Sequence, residues 1–386
     1  MRDILIITNY FPPETGAASN RIFQLAKGLS KNDFSISVVT PLPNYPKGKL
    51  FDGYGGKFCR MTTENGIRIY RLWLYASNSK NKLKRLLAML SYSLSLIWFF
   101  LVKKIPETVI IQSPPLVVAF TAMLFLRSKK RKLILNVSDL WPLAGLELGA
   151  FKRNWSYKIL ERMERFNYKC ADLILGQSEE ILQHVKSIFP QKPAFLYRNY
   201  PDFEVVKPVS ATSTNRIRMV YAGLLGVAQG IHKLCTQLNY KNTEFHIYGE
   251  GAERRHIENF ITINPDLPIY YHGEVSREEL HKTLLAFDIA IIPLLNRIYG
   301  SVPSKIFEYA RLGLPVLYFG GGEGEDIVMK YNLGRVVESG NYAQLNKWLL
   351  SLTASEIQYF DREEIQKEAL KNFNFKGQMH KLIELI

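Results

Sequence analysis

The chain has 386 residues, of which 47% are hydrophobic and 22% charged. That length exceeds one ordinary core and predicts two domains, and the composition excludes a disordered chain. The formal net charge of +15 is one-sided: residues 1–200 carry 30 Lys and Arg against 13 Asp and Glu, whereas 201–386 carry 20 against 22.

The excess gathers at Lys80, Lys82, Lys84 and Arg85, at Lys103 and Lys104, and at Arg127 and Lys129 to Lys132. Such clusters suit anionic lipid, a phosphorylated ligand or nucleic acid. No nucleic-acid motif accompanies them, so a nucleic-acid partner is not expected. Cys59, Cys170 and Cys235 lie too far apart in sequence to suggest a disulfide framework or a metal site, and the histidines show no metal spacing. The N-terminus reads as a strand and a turn rather than a signal peptide, which predicts a cytosolic protein.

Short apolar runs alternate with helical stretches along the chain. Strands are expected at 3–8, 34–40, 67–73, 108–112, 132–137, 173–176 and 194–197. A second series is expected at 217–222, 244–248, 268–271, 289–293, 315–319 and 334–337. This alternation predicts an α/β fold of two Rossmann-like parallel-sheet domains. The polar, proline-containing stretch 201–215 breaks the series and reads as a linker. The domains are then 1–200 and 216–370, with a C-terminal helix over 371–386 able to pack back on the first domain. Residues 86–102 are apolar and flanked by basic residues. Three readings stay open for them: a core helix, a helix lying on a membrane, or a short membrane span.

In parallel sheets, ligands bind at the carboxyl ends of strands, so the turns there matter most. Gly223-Leu-Leu-Gly226 follows the first strand of the second series. Gly320-Gly321-Gly322 follows a later strand and opens a helix, which suits an anion held by backbone N–H groups. Between them lies Val302-Pro-Ser304-Lys305-Ile-Phe-Glu308. Lys305 and Glu308 are three apart on one helical face, serving either as a surface ion pair or as groups for a diphosphate and a ribose. In the first half, Asp139-Leu-Trp141-Pro follows a strand, and Asp139 either faces a cleft or caps the next helix. The loop Pro12-Pro-Glu14-Thr-Gly16-Ala17-Ala follows the first strand. There is no Asp-x-Asp pair, so no catalytic metal and no cofactor are expected, and positive side chains and helix dipoles must meet any leaving-group charge.

At these residues the chain resembles the retaining family-4 glycosyltransferases of the two-Rossmann GT-B fold, whose domains face a central cleft. The likeness is to the O-antigen and capsule branch that includes N-acetylfucosaminyltransferases. It rests on the Pro12-to-Arg21 loop, Ser113-Pro-Pro115, Asp139-Leu-Trp-Pro142, Tyr221-Ala-Gly-Leu-Leu-Gly226, Gly249-Glu-Gly251, Gly273-Glu274-Val275 and Pro303-Ser304-Lys305-Ile-Phe-Glu308-Tyr309.

The resemblance implies that Gly249, Gly251, Gly273, Glu274 and Val275 border the nucleobase and that Glu308 binds ribose. Lys305, Ser304 and the backbone at Gly223–Gly226 and Gly320–Gly322 hold the diphosphate. Glu14, Gly16, Ala17, Asp139 and Trp141 face sugar and acceptor. Two departures stand out. Gly300 occupies the position of the first of two glutamates, and Leu224 and Gln229 replace an Arg and a Lys. That throws weight on Lys305 and Arg297. The implied activity is retaining, metal-independent transfer of an N-acetylated sugar from a UDP-sugar donor to a lipid-linked oligosaccharide at an anionic membrane surface. A nucleotide-sugar epimerase and a non-catalytic partner subunit of the same fold are the alternatives.

Overall fold

Runs such as Thr108–Ser113 and Ile289–Pro293 are buried on both faces, the mark of strands covered by helices on either side. The computed structural model describes residues 2–45, 47–77, 81–147, 149, 152–204, 207–208, 216–295, 298–352 and 360–386, with the backbone alone at 82 and 85. The expected linker lies largely outside the described residues, as do Lys80 and Arg297.

Two compact units emerge. The first comprises Met1–Asn199, Ile298–Ser301 and Lys376–Ile386; the second comprises Tyr200–Arg297 and Val302–Phe375. The first holds an eight-stranded sheet: β1 (Arg2–Ile7), β2 (Phe34–Pro41), β3 (Cys59–Glu64), β4 (Ile67–Leu72), β5 (Thr108–Ser113), β6 (Lys132–Val137), β7 (Leu173–Gly176) and β8 (Ala194–Leu196). Its order is β3-β4-β2-β1-β5-β6-β7-β8. All neighbours are parallel except β3 and β4. β3 was not expected: Cys59–Glu64 is a largely exposed edge strand without an apolar face.

The second unit holds β9 (Ile217–Ala222), β10 (Thr243–Tyr248), β11 (Ile269–Gly273), β12 (Ile289–Pro293), β13 (Val316–Phe319) and β14 (Gly334–Val337). Their order is β11-β10-β9-β12-β13-β14, parallel throughout. Strand order reverses between β1 and β5 in one sheet and between β9 and β12 in the other. Ligand crevices are expected beyond the carboxyl ends at those points. The turns singled out in the sequence follow β1, β6, β9, β10, β11 and β13.

The apolar stretch 86–102 lies in helix α2 (Lys82–Val102), capped by Asn81, whose side chain accepts from the Leu83 N–H. One face enters the core through Tyr92, Leu96 and Phe99. It packs on α3 (Leu116–Leu126), which lies between α2 and α5 (Trp155–Cys170). The opposite face presents Leu83, Leu86, Leu87, Leu90, Leu94, Trp98 and Leu101 to solvent. No helix among the described residues is long and apolar enough to cross a membrane. The segment is therefore half core helix and half exposed apolar stripe.

The two faces should respond differently to truncation. Leu96→Ala, at a fully buried position, is expected to cost roughly 2–5 kcal/mol. Leu94→Ala, at a position 67% exposed, should stay within about 0.5 kcal/mol. Urea denaturation of the two variants distinguishes these outcomes.

Candidate functional site

In the second unit the turns after β9, β10 and β11 are knitted together by backbone. The Gly223 N–H donates to the Tyr248 carbonyl (2.9 Å), the Leu225 N–H to Glu250 (2.8 Å) and the Gly249 N–H to Gly273 (2.7 Å). Chains can approach this closely only without side chains. A methyl group on Gly249, at φ +131°, would sit 1.8 Å from the Gly223 carbonyl oxygen. One on Gly251 would fall 2.5 Å from the Leu225 carbonyl oxygen, while Gly226 lies against the Gln229 side chain. Beside Gly273, Glu274 is exposed and Val275 half-buried.

Lys305 opens α10 (Lys305–Arg311), preceded by Ser304. Its side chain lies across the β9 turn, so that a methyl group on Gly223 would meet Lys305 Cε at 2.6 Å. The ammonium stands 5.9 Å from the Tyr221 ring centroid and 5.8 Å from that of Tyr309. Among the described residues no carboxylate comes within ion-pair distance of it. Burial lowers its pKa below the usual lysine range; Glu308 opposes that shift and Arg277 adds to it.

Glu308 does not pair with Lys305 despite their spacing. Its Oε1 accepts from His281 Nε2 (2.7 Å) and Arg277 Nε (3.3 Å). Both donors lie on α9 (Arg277–Leu284), four residues apart on one face, and Ser276 caps that helix by accepting from the Glu279 N–H. Burial pushes the Glu308 carboxyl up, but the His281 hydrogen bond, Arg277 and Lys305 together bring it down to about 2. It is a fixed carboxylate, suited to accepting hydrogen bonds rather than moving protons. Sequence reasoning missed Arg277 and His281. A Ser-Arg-Glu-Glu helix start reads as capping alone, and no sequence spacing links it to position 308.

Gly320, Gly321 and Gly322 follow β13 and lead into α11 (Glu323–Lys330). The Gly321 carbonyl is held by the Tyr318 hydroxyl (3.1 Å). The first turn of α11 carries Glu323, Glu325 and Asp326. Their charge already complements the helix dipole, so an anion there gains from the N–H groups and not from net field.

In the first unit, Glu14 is buried, and its Oε1 accepts from the Asn44 and Tyr45 N–H groups, both 2.8 Å. Burial raises its carboxyl, while these bonds and Arg71 oppose the shift. Its Oε2 has no partner among the described residues. Gly16 precedes α1 (Ala17–Ser30), which therefore has Ala17 as its first residue and no side-chain cap.

Asp139 and Trp141 follow β6, and both are half-buried. Burial pushes the Asp139 carboxyl up to about 6, and a hydrogen bond with Ser301 and the Arg21 guanidinium oppose the shift. Gln177 and Ser301 escaped sequence reasoning, and Arg21 stood there only as the end of a motif, because only folding brings them to Asp139. Gly300 has a structural reason. At φ +78°, a methyl group there would lie 2.8 Å from Ile181 Cγ1 and 3.0 Å from Leu140 Cγ, so a glutamate does not fit. Among the described residues, no group of three His, Cys, Asp or Glu is arranged to hold a metal ion.

The two halves match two family models. Residues 16–194 match a glycosyl transferase 4-like domain, and residues 214–355 match glycosyl transferases group 1. Together these take in most of the chain, and it belongs to the group 1, GT-B-type glycosyltransferases. No curated protein matches it in sequence.

Solved structures are similar over the whole length. Sucrose-phosphate synthase from Thermosynechococcus elongatus is 13% identical with a TM-score of 0.77, covering 100% of this chain and 98% of its own. HepE of Anabaena, solved with UDP and glucose, is 14% identical with a TM-score of 0.67, covering 100% and 99%. WaaG, a glycosyltransferase involved in lipopolysaccharide biosynthesis, is 12% identical with a TM-score of 0.67, covering 99% of each chain. At these identities the likeness concerns the fold.

The Glu308 environment has a pH signature. Its folded-state value of about 2 lies below the ordinary 4.5. The interaction therefore stabilises the fold fully above the ordinary value and is lost as pH falls through the folded one. Glu308→Gln should lower Tm most above about pH 5, and the gap to the parent should narrow steadily toward about pH 2–3. A gap independent of pH would contradict the assignment.

Proposed function

We propose that this glycosyltransferase moves an N-acetylated sugar from a UDP-sugar to a lipid-linked oligosaccharide, with retention, in surface-polysaccharide synthesis. One observation carries the donor half of this reading: the half-buried Lys305 ammonium, without a carboxylate at ion-pair distance among the described residues, set against the Gly223 turn. A half-buried ammonium without an ion-pair partner is only partly compensated, and an anionic ligand would complete it. A diphosphate supplies the missing negative charge. Glu308, anionic and anchored through one oxygen, leaves its other oxygen for ribose hydroxyls. The glycine platform leaves backbone room for the nucleobase beside Gly249, Gly251 and Gly273.

In this reading Lys305 and nearby backbone N–H groups, rather than a metal, counter the charge on the departing UDP. Retention has the acceptor oxygen bond to the anomeric carbon on the face from which the diphosphate leaves, and the leaving phosphate takes the acceptor's proton. Glu14 and Asp139 belong to the acceptor side. The presence of UDP and glucose in HepE and the lipopolysaccharide role of WaaG support the substrate class.

The acceptor's setting is read from α2. Its exposed leucine stripe is joined by exposed Phe58 and Trp73, with Phe58 packed edge-on against Trp98 (4.9 Å). A shallow concavity of about 480 Å³ is lined by Gly56, Lys57, Phe58 and Trp73. Lys57, Lys84, Lys103 and Lys104 are exposed as well. Apolar and aromatic side chains bordered by lysines suit a protein lying on an anionic bilayer.

Three experiments test the reading. Lys305→Ala should lower transfer by roughly a hundredfold or more. Asp139→Asn should leave UDP affinity, measured by calorimetry, nearly unchanged while transfer falls. Parental transfer by Lys305→Ala would refute the donor assignment. In sedimentation, the protein should bind vesicles containing anionic phospholipid at low salt and be partly released at high salt. Leu87→Ser with Leu94→Ser, and separately Lys103→Glu with Lys104→Glu, should each weaken sedimentation and spare UDP binding. Equal binding to neutral and anionic vesicles at every salt concentration would remove the electrostatic component.

A further inference from the structure

Beneath Asp139 lies a buried polar network whose hydrogen bonds run in only one direction. Arg21, on α1, is 2% exposed and has donors only. Its Nη1 donates to Gln177 Oε1 (2.9 Å) and its Nη2 to Asn136 Oδ1 (2.6 Å). These bonds commit both amide oxygens, so each amide nitrogen must face away from Arg21. Gln177 Nε2 accordingly donates to the Ser138 carbonyl and lies 3.5 Å from Ser301 Oγ. A serine oxygen approached by an N–H has its own O–H free to donate. The group that accepts it is the Asp139 carboxylate.

The other flank has the same polarity. β5 and β6 pair with Gln112 opposite Asn136. Asn136 Nδ2 donates to Gln112 Oε1 (2.6 Å), and Gln112 Nε2 to Ser138 Oγ (2.6 Å). Arg21 is the cationic source of both arms, and its guanidinium lies 5.3 Å from the Tyr197 ring centroid.

Ser301 itself is held by its neighbours. The Leu140 N–H donates to the Tyr299 carbonyl (3.0 Å), and the Gly300 N–H donates to Glu180 Oε2 (2.8 Å) on α6 (Glu179–Ile188). The groups that act on the Asp139 carboxylate are thus Arg21 from α1 and the Ser301 hydroxyl, while the Glu180 carboxylate at the start of α6 holds the Gly300 N–H and the Tyr197 ring lies by Arg21.

We infer that Arg21 and Gln177 are positioning residues that act through Ser301, obliging its hydroxyl to donate to Asp139 and so holding that carboxylate ionised and oriented for the acceptor. The inference rests on Asp139 being an acceptor-side group. With the carboxyl titrating at about 6, losing one donor changes the ionised fraction within the range in which an enzyme assay can be run.

The test uses the full chain and two readouts. The Asp139 carboxyl is titrated by carbon-13 NMR on aspartate-labelled protein, and kcat and KM for transfer are measured from pH 5 to 9. Ser301→Ala should move the Asp139 titration up by roughly one pH unit. It should lower kcat about fivefold at pH 6 and little at pH 8, because a one-unit shift changes the ionised fraction only near the midpoint. Ser301→Thr, which keeps the hydroxyl, should restore both. Gln177→Leu should reproduce part of the shift and Arg21→Met more of it. Where Arg21→Met fails to fold, the Ser301 pair decides the question.

An unmoved titration in Ser301→Ala, or an equal loss of kcat at pH 6 and pH 8, overturns the relay. Parental transfer by Asp139→Asn would instead refute the acceptor-side role of Asp139. The NMR titration then still reports separately on the hydrogen-bond relay.

Discussion

The second unit depends on the close approach of Gly249 to the Gly223 carbonyl. That contact lets the turns after β9, β10 and β11 share backbone hydrogen bonds. With side chains on those turns the strands' carboxyl ends would splay, and Lys305 would lose the surface it lies across. Parallel pairing brings the strand ends level, and glycine lets them merge into one platform. The ammonium then lies against that turn and near two tyrosine rings, with the Glu308 charge acting on it from a distance.

Opposite solutions to buried charge appear in the two units. In the second, Glu308 is met locally by Arg277 and His281, and Lys305 has no carboxylate at ion-pair distance among the described residues. In the first, Arg21 is surrounded by neutral amide oxygens, and its charge reaches Asp139 partly through space and partly through oriented dipoles. With both Nη groups hydrogen-bonded, the Arg21 network fixes the orientation of the two amides it donates to. The same unit carries on its outer side the one-sided burial of α2, whose core face and exposed face are both apolar. Burial against α3 accounts for the first face, while the second is exposed.

Much of this was legible in the chain itself. Periodicity and turn residues predicted the strand series on both sides of position 215, because strands buried on two faces must be apolar and must end at turn-forming residues. The turns after β9, β10, β11 and β13 were visible as glycine clusters, and the Pro-Ser-Lys and Asp-Leu-Trp-Pro elements marked where charged groups meet strand ends. The edge strand β3 was missed because an exposed strand leaves no apolar signature.

What only the tertiary structure decided is which of those groups meet. Local spacing put Lys305 and Glu308 on one helical face, yet Glu308 turns to α9 and Lys305 to the β9 turn. Gly300 read as a missing glutamate until its packing against Ile181 and Leu140 showed that no side chain fits. Which face of α2 is buried could not be read from a stretch apolar all round; it was settled by α3 covering one face. Arg21, Gln177 and Ser301 lie 156 and 124 residues apart along the relay, and no local pattern encodes such a meeting. Sequence determines local conformation through nearest-neighbour sterics and periodicity, whereas partners for buried polar groups are chosen by whichever strand ends the sheet order brings side by side.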